Sequence, residues 1–168
     1  MDLTEKMISR KDLYDGLLCR VHVDEVLLPN GNTSRREVVD HVDGVAVLPL
    51  DERNNVLTVT QYRYVFGKTL LEIPAGKLDE GEAPVTGALR ELKEETGAVP
   101  DTLLPLGVIL PAPGCYGEKL HLFLAKNLHM EQQHLDPDEF LSVERIPFAE
   151  MVHRVMDGEI EDAKTCLL

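Results

Sequence analysis

The segment Gly76–Ala98 reads GKLDEGEAPVTGALRELKEETGA, and its reading decides the architecture of the chain. Within it, Pro84 opens a helical pattern and Gly97 closes it, the usual asymmetry of helix ends. Val85, Leu89, Leu92 and Thr96 recur at helical spacing and predict one core-facing stripe. Glu91 and Glu95 lie four apart and stack on another face, with Glu94 beside them. Like charges at that spacing oppose helix formation. Oxygen ligation of a hard divalent cation offsets the repulsion; on these three residues alone, a solvated acidic face is an equal reading.

Outward from this helix the pattern is mostly β. Residues 17–28 alternate, with Val21 and Val23 on one face and His22 and Asp24 on the other. A turn at 29–32 returns the chain through 36–42, which predicts a hairpin. Residues 44–50, Gly-Val-Ala-Val-Leu-Pro-Leu, predict a strand buried on both faces. Further strands are expected at 56–62, 69–73, 103–110, 119–125 and 140–146. A helix opened by Pro147 places Phe148, Met151, Val152 and Val155 on one face and stops at Gly158. A last helix starts near Ile160, and its apolar ending Cys166-Leu167-Leu168 reads as a longer helix cut short. Strands outnumber helices and one helix falls among them, which predicts an α+β domain rather than regular βαβ winding.

The chain has 168 residues, 43% of them hydrophobic, and a formal net charge of −13. That length suits one domain with its own core. The charge excludes nucleic-acid binding through a broad basic surface. It is compatible with a phosphorylated substrate if a divalent cation stands between substrate and carboxylates. No run is long and apolar enough to predict a membrane span, and the first residues do not form a secretory signal. Cys19, Cys115 and Cys166 show no metal or redox spacing, which fits a reducing, cytoplasmic setting. The six histidines form no zinc pattern.

The whole of Gly76–Ala98 fits G-x5-E-x7-R-E-U-x-E-E-x-G-U, where U is a bulky apolar residue. Gly76, Glu82, Arg90, Glu91, Leu92, Glu94, Glu95 and Gly97 are in register; only Ala98 is smaller than the pattern asks. Residue frequencies put a chance match at about 10⁻⁶. On these residues the chain resembles the Nudix hydrolases. Residues 60–76, the stretch Pro111–Glu118 and the ending Asp162-Ala163-Lys164-Thr165 resemble the ADP-ribose pyrophosphatase branch, although Ala112 stands where that branch usually has serine.

The resemblance implies a Nudix fold, a mixed sheet between helices with an N-terminal hairpin, as one domain over 1–168. Residues 1–42 would be a dimerisation arm and 43–168 the catalytic core. It implies Mg²⁺, with Mn²⁺ as an alternative ion, held by Glu91 and Glu95 with help from Glu94, Glu82 and the carbonyl of Ala75. Arg90 would orient these glutamates. The branch usually takes its general base from a mobile loop, here 128–139. Glu139 is therefore the first candidate, Glu118 the second, and Glu94 belongs to the same catalytic group. Arg63, Arg36, Glu72 and Gly114 are the expected substrate contacts, with Arg36 acting across a homodimer. The expected reaction converts ADP-ribose to AMP and ribose 5-phosphate. Alternatives are another nucleoside diphosphate derivative, such as GDP-mannose, another sugar nucleotide, a dinucleoside polyphosphate or NADH, and a non-catalytic ADP-ribose-binding module. Neither nucleic acid nor membrane is an expected partner.

Overall fold

The computed structural model describes residues 1–168. The chain folds as two compact units, residues 1–43 with 110–119, and residues 44–109 with 120–168.

The first unit is a three-stranded antiparallel sheet of β1 (Lys6–Asp15), β2 (Cys19–Leu27) and β3 (Thr33–His41), in the order β1-β2-β3. The expected hairpin is β2 and β3. β1 is an addition: its stretch KMISRKDLYD carries no clean alternation and is interrupted by register shifts at Met7/Ser9 and Asp12/Tyr14. The polar face of β2 is the covered one. His22, Asp24 and Val26 are buried, whereas Val21 and Val23 are half-buried. Arg10 of β1 makes this tolerable by donating Nε–H and Nη2–H to the two Asp24 oxygens, each at 2.9 Å. His22 lies between Asp24 and Asp40, 3.0 and 3.2 Å from their carboxylates. A buried carboxylate needs such partners to remain charged. The loop 110–119 runs beside β3, where Val39 N–H donates to the Cys115 carbonyl and Gly117 N–H to the Val39 carbonyl.

The second unit holds a seven-stranded mixed sheet. Its strands are β4 (Gly44–Leu50), β5 (Asn55–Arg63), β6 (Lys68–Glu72), β7 (Ala75–Lys77), β8 (Ala98–Ile109), β9 (Leu120–Met130) and β10 (Leu141–Pro147). The main order is β10-β5-β4-β9-β8, with β6 paired to β5 and β7 to β4. β4 and β9 run parallel. β4 is central and buried on both sides, so consecutive residues serve different layers. Val45 and Val47 join Leu57, Phe123, Ala88 and Leu92 under α1 (Pro84–Thr96). Ala46 and Leu48 join Val56, Ile73, Met151 and Ile160 under α2 (Phe148–Met156) and α3 (Ala163–Leu167). The sheet is therefore sandwiched between helices, with α+β character.

Several expected boundaries move. β8 and β9 are longer than predicted, and β9 takes in residues 128–130, so the loop expected from Leu128 begins only at 131. α3 begins at Ala163 rather than near Ile160, because Ile160 is a core residue and Asp162 caps the helix, accepting from Thr165 N–H. The stripe predicted for α1 is half right. Leu92 and Thr96 are buried, but Val85 and Leu89 are exposed, and the covered face runs instead through Gly87, Ala88, Glu91 and Glu95. The helix is turned so that its carboxylates face β7.

Gly97 ends α1 at φ +74°, its N–H donating to the Lys93 carbonyl at 2.8 Å. A Cβ there would lie 2.5 Å from the Glu131 carbonyl oxygen. Gly97→Ala is therefore expected to lower stability by about 2 kcal/mol or more, from left-handed strain plus the clash. Urea unfolding checks this, and an unchanged midpoint would contradict it.

Candidate active site

The site grows from α1 and the strand beneath it. Glu91 and Glu95 stand one turn apart, 9% and 3% exposed. Glu95 Oε2 accepts the Ala75 N–H at 3.0 Å. The Glu91 carboxyl group lies directly over Gly76: a Cβ at that position would meet its carbon at 2.0 Å. Gly76 is thus required by the close approach of a charged side chain to backbone.

Arg90 organises the neighbouring acids. Its Nε–H and Nη2–H donate to Glu82 at 3.0 and 2.8 Å, and Nη1–H donates to Glu91 at 2.8 Å and to Glu94 at 3.0 Å. A further Nη2–H reaches the Lys77 carbonyl at 2.9 Å. One guanidinium thereby ties together the loop before α1, the end of β7 and two turns of the helix, which its rigid fork of donors permits.

These acids are electrostatically unlike. Hydrogen bonding from Arg90, then from the Asp79 N–H, holds Glu82 down at about 2. Burial raises Glu91, against the pull of Arg90. Burial pushes Glu95 up to about 8; Ala75 N–H and Lys164 oppose the rise, while Glu91 and Glu139 reinforce it. Two desolvated carboxylates in each other's field are short of positive charge.

The sequence pattern leads one to expect carboxylates gathered around a point. The structure differs: no three acidic, histidine or cysteine side chains converge in coordinating geometry, because Arg90 stands among Glu82, Glu91 and Glu94. The donor chemistry nonetheless suits a hard divalent cation. Every side chain is a carboxylate, two are withdrawn from water, and a glycine clears the floor beneath one of them.

The other residues singled out by sequence fall into two groups. Glu139 follows the loop that hangs on the end of α1 by Glu131 N–H to the Gly97 carbonyl and His134 N–H to the Glu94 carbonyl. Its charge raises both Glu91 and Glu95, and its own carboxylate accepts the Asp136 N–H at 3.3 Å. Arg63 gives Nε–H and Nη2–H to the two oxygens of Glu72 at 2.6 and 2.7 Å. That pair is joined by Lys164, which sequence inspection left without a role. The signal was present in the ending Asp162-Ala163-Lys164-Thr165, but nothing local ties it to residues 92 positions upstream. The second group belongs to the N-terminal unit. Glu118 lies 3.9 Å from His41, and Gly114 occupies an exposed part of the 110–119 loop. Arg36 is held by Glu5 at 2.5 and 2.9 Å and by Ser34.

Residues 40–165 match the family model of the NUDIX domain, and residues 5–39 match that of the nucleoside diphosphate sugar hydrolase N-terminal domain. An ADP-ribose pyrophosphatase of Bacillus subtilis is 39% identical over 165 residues, spanning 97% of this chain and 89% of that protein. A GDP-mannose pyrophosphatase of Yersinia enterocolitica is 36% identical over 144 residues, 79% of this chain and 74% of its own. A crystal structure of an ADP compounds hydrolase superposes with a TM-score of 0.86 at 23% identity, covering 98% and 90% of the two chains, and so shares the fold. Signature, fold and domain match agree, and the chain belongs to the Nudix family of hydrolases.

Proposed function

We propose that the chain hydrolyses the diphosphate bridge of ADP-ribose to AMP and ribose 5-phosphate, with Mg²⁺ held at the α1 carboxylates and Mn²⁺ able to replace it. The observation that carries this reading is the pair Glu91 and Glu95, buried one turn apart, Glu91 over Gly76 and Glu95 on the Ala75 N–H, with the single Arg90 guanidinium as nearby cation for Glu91. Nudix hydrolases generally use divalent cations and act on nucleoside diphosphate compounds. Glu91 and Glu95 would hold the ion, with Glu82, Glu94 and the Ala75 carbonyl completing its surroundings and Arg90 orienting the acids. A divalent ion in such a place neutralises the diphosphate and makes bound water more acidic.

The remaining work falls to the chain. A diphosphate repels an incoming hydroxide, so the attacking water must lose its proton as its oxygen bonds to phosphorus. Glu139 takes that proton, supported by the reach of its charge to Glu91 and Glu95; Glu118 is the second candidate and Glu94 a supporting carboxylate. The bond from phosphorus to the bridging oxygen breaks, and its electron pair leaves with the departing phosphate. Arg63 presents its remaining Nη1 donors beside Glu72, a suitable contact for phosphate or ribose; Arg36, acting across a homodimer, and Gly114 are the further contacts this reading assigns. The names of the relatives support ADP-ribose; the GDP-mannose relative keeps a sugar nucleotide as the second reading. A non-catalytic binding module is disfavoured by the presence of every signature acid.

Residues 1–42 serve in this reading as a dimerisation arm, supported by the exposed apolar side chains Met7, Ile8, Leu13 and Tyr14 on β1 and its unpaired outer edge. Three unpaired cysteines fit a cytoplasmic setting. Sedimentation equilibrium should return a dimer that Arg36→Ala leaves intact; a monomer at assay concentration removes the arm from the proposal.

Purified protein with Mg²⁺ is expected to release AMP from ADP-ribose, followed by chromatography, with a higher kcat/KM than for GDP-mannose. Glu95→Gln should lower activity by at least the 10–100-fold that loss of an outer-shell partner causes, roughly. Glu139→Gln should lower kcat by about 10²–10⁴-fold with metal binding retained. No AMP with any divalent ion defeats the reading.

Glu95 also sets a pH dependence. Its carboxyl sits at about 8 in the folded protein against 4.5 for an ordinary glutamate. The neutral form therefore favours folding below 4.5, and that contribution is lost as pH rises towards 8. In chelator the melting temperature should fall between about pH 5 and about pH 8. Mg²⁺ should reverse the fall, and Glu95→Gln should flatten it. A wild-type melting curve independent of both pH and Mg²⁺ would count against a cation at this site.

A further inference from the structure

We infer that Lys164 is a positioning residue for the cation site on α1: it latches Glu72, and so sets the connection 72–75 that offers the Ala75 N–H to Glu95. The inference rests on the reading of Glu91 and Glu95 as cation ligands, and adds the C-terminal helix to that machinery.

The connection from β6 to β7 is held from several sides. Ile73 and Pro74 are fully buried, and the Pro74 carbonyl accepts the Val47 N–H at 2.9 Å. Ile73 N–H donates to Thr165 Oγ1 at 2.9 Å. One residue earlier, Glu72 is 1% exposed. Arg63 from β5 already satisfies both of its oxygens. Lys164 from α3 adds a second cation to Glu72 Oε2 and also donates to Asp162 Oδ1 at 2.9 Å. The other Asp162 oxygen accepts from the Thr165 N–H and Oγ1–H at 3.0 and 2.6 Å. Asp162, Lys164 and Thr165 thus form one latch over Glu72 and Ile73, two residues before the N–H that Glu95 uses.

Stability alone does not call for this arrangement. One bidentate arginine is enough to neutralise a buried carboxylate, and a buried ion pair is often no better than apolar packing. A second cation, itself 12% exposed, restricts where the Glu72 backbone can sit. The field of Lys164 also reaches Glu95. Loss of an outer residue that orients a ligand typically costs roughly 10–100-fold in metal affinity or activity.

The test compares wild type, Lys164→Met and Lys164→Arg in the full chain. Mn²⁺ binding is read directly from the free-ion EPR signal, beside the melting temperature and the kcat and KM for ADP-ribose. Lys164→Met should weaken Mn²⁺ binding about tenfold, and Lys164→Arg should recover most of the affinity. A folded Lys164→Met protein that melts earlier but binds Mn²⁺ like wild type overturns the inference and leaves the cation site standing. Wild type that binds no Mn²⁺ overturns both. Should Lys164→Met fail to fold by circular dichroism, Asp162→Asn, which keeps the lysine and the cap but loosens the latch, is expected to weaken Mn²⁺ binding about threefold; unchanged binding there is equally fatal.

Discussion

Two carboxylates of like charge, one helical turn apart and withdrawn from water, are the constraint around which the catalytic unit is built. Glu91 and Glu95 repel each other and are poorly hydrated, so on their own they destabilise α1. The surroundings respond in two ways. Arg90 and the Ala75 N–H supply fixed positive ends, and Gly76 removes the side chain that would block Glu91. The positive charge still missing at these acids is the observation on which the proposed cation site rests.

That local need explains the orientation of α1. A helix packed only for stability would have turned Val85 and Leu89 inward. Here they are exposed, and Ala88 and Leu92 pack the helix against Val45, Val47 and Phe123. The small Ala88 lets the helix sit close to the sheet and brings the glutamates down onto β7. Some hydrophobic burial is lost in exchange for a preorganised acidic floor, a familiar conflict between local rules and a functional site.

The two faces of β4 distribute the labour. Val45 and Val47 support the helix that bears the acids; Ala46 and Leu48 support α2 and α3. α3 in turn reaches Glu72 and Ile73 through Lys164 and Thr165. Elements far apart in the sequence thus converge on the β6–β7 connection, and a rigid sheet is what carries the position of one to the other.

Much was legible in the chain itself. The limits of α1, the double-sided burial of β4, the spacing of Glu91, Glu94 and Glu95, and the match of Gly76–Ala98 to the Nudix signature all follow from local periodicity and fixed spacing, which a sequence records directly. β1 was not legible, since its pairing with β2 is set by a partner strand and interrupted register rather than by its own alternation. The buried face of β2 was not legible either, because a covered Asp24 depends on Arg10, which comes from the adjacent strand β1. Nor could spacing say which side of α1 lies inward, or that Lys164 would meet Glu72. Those outcomes depend on desolvation and on contacts between residues far apart in the chain. Burial sets how strongly a charge must be paired, and only the tertiary fold decides which charges are buried and which partners come within reach.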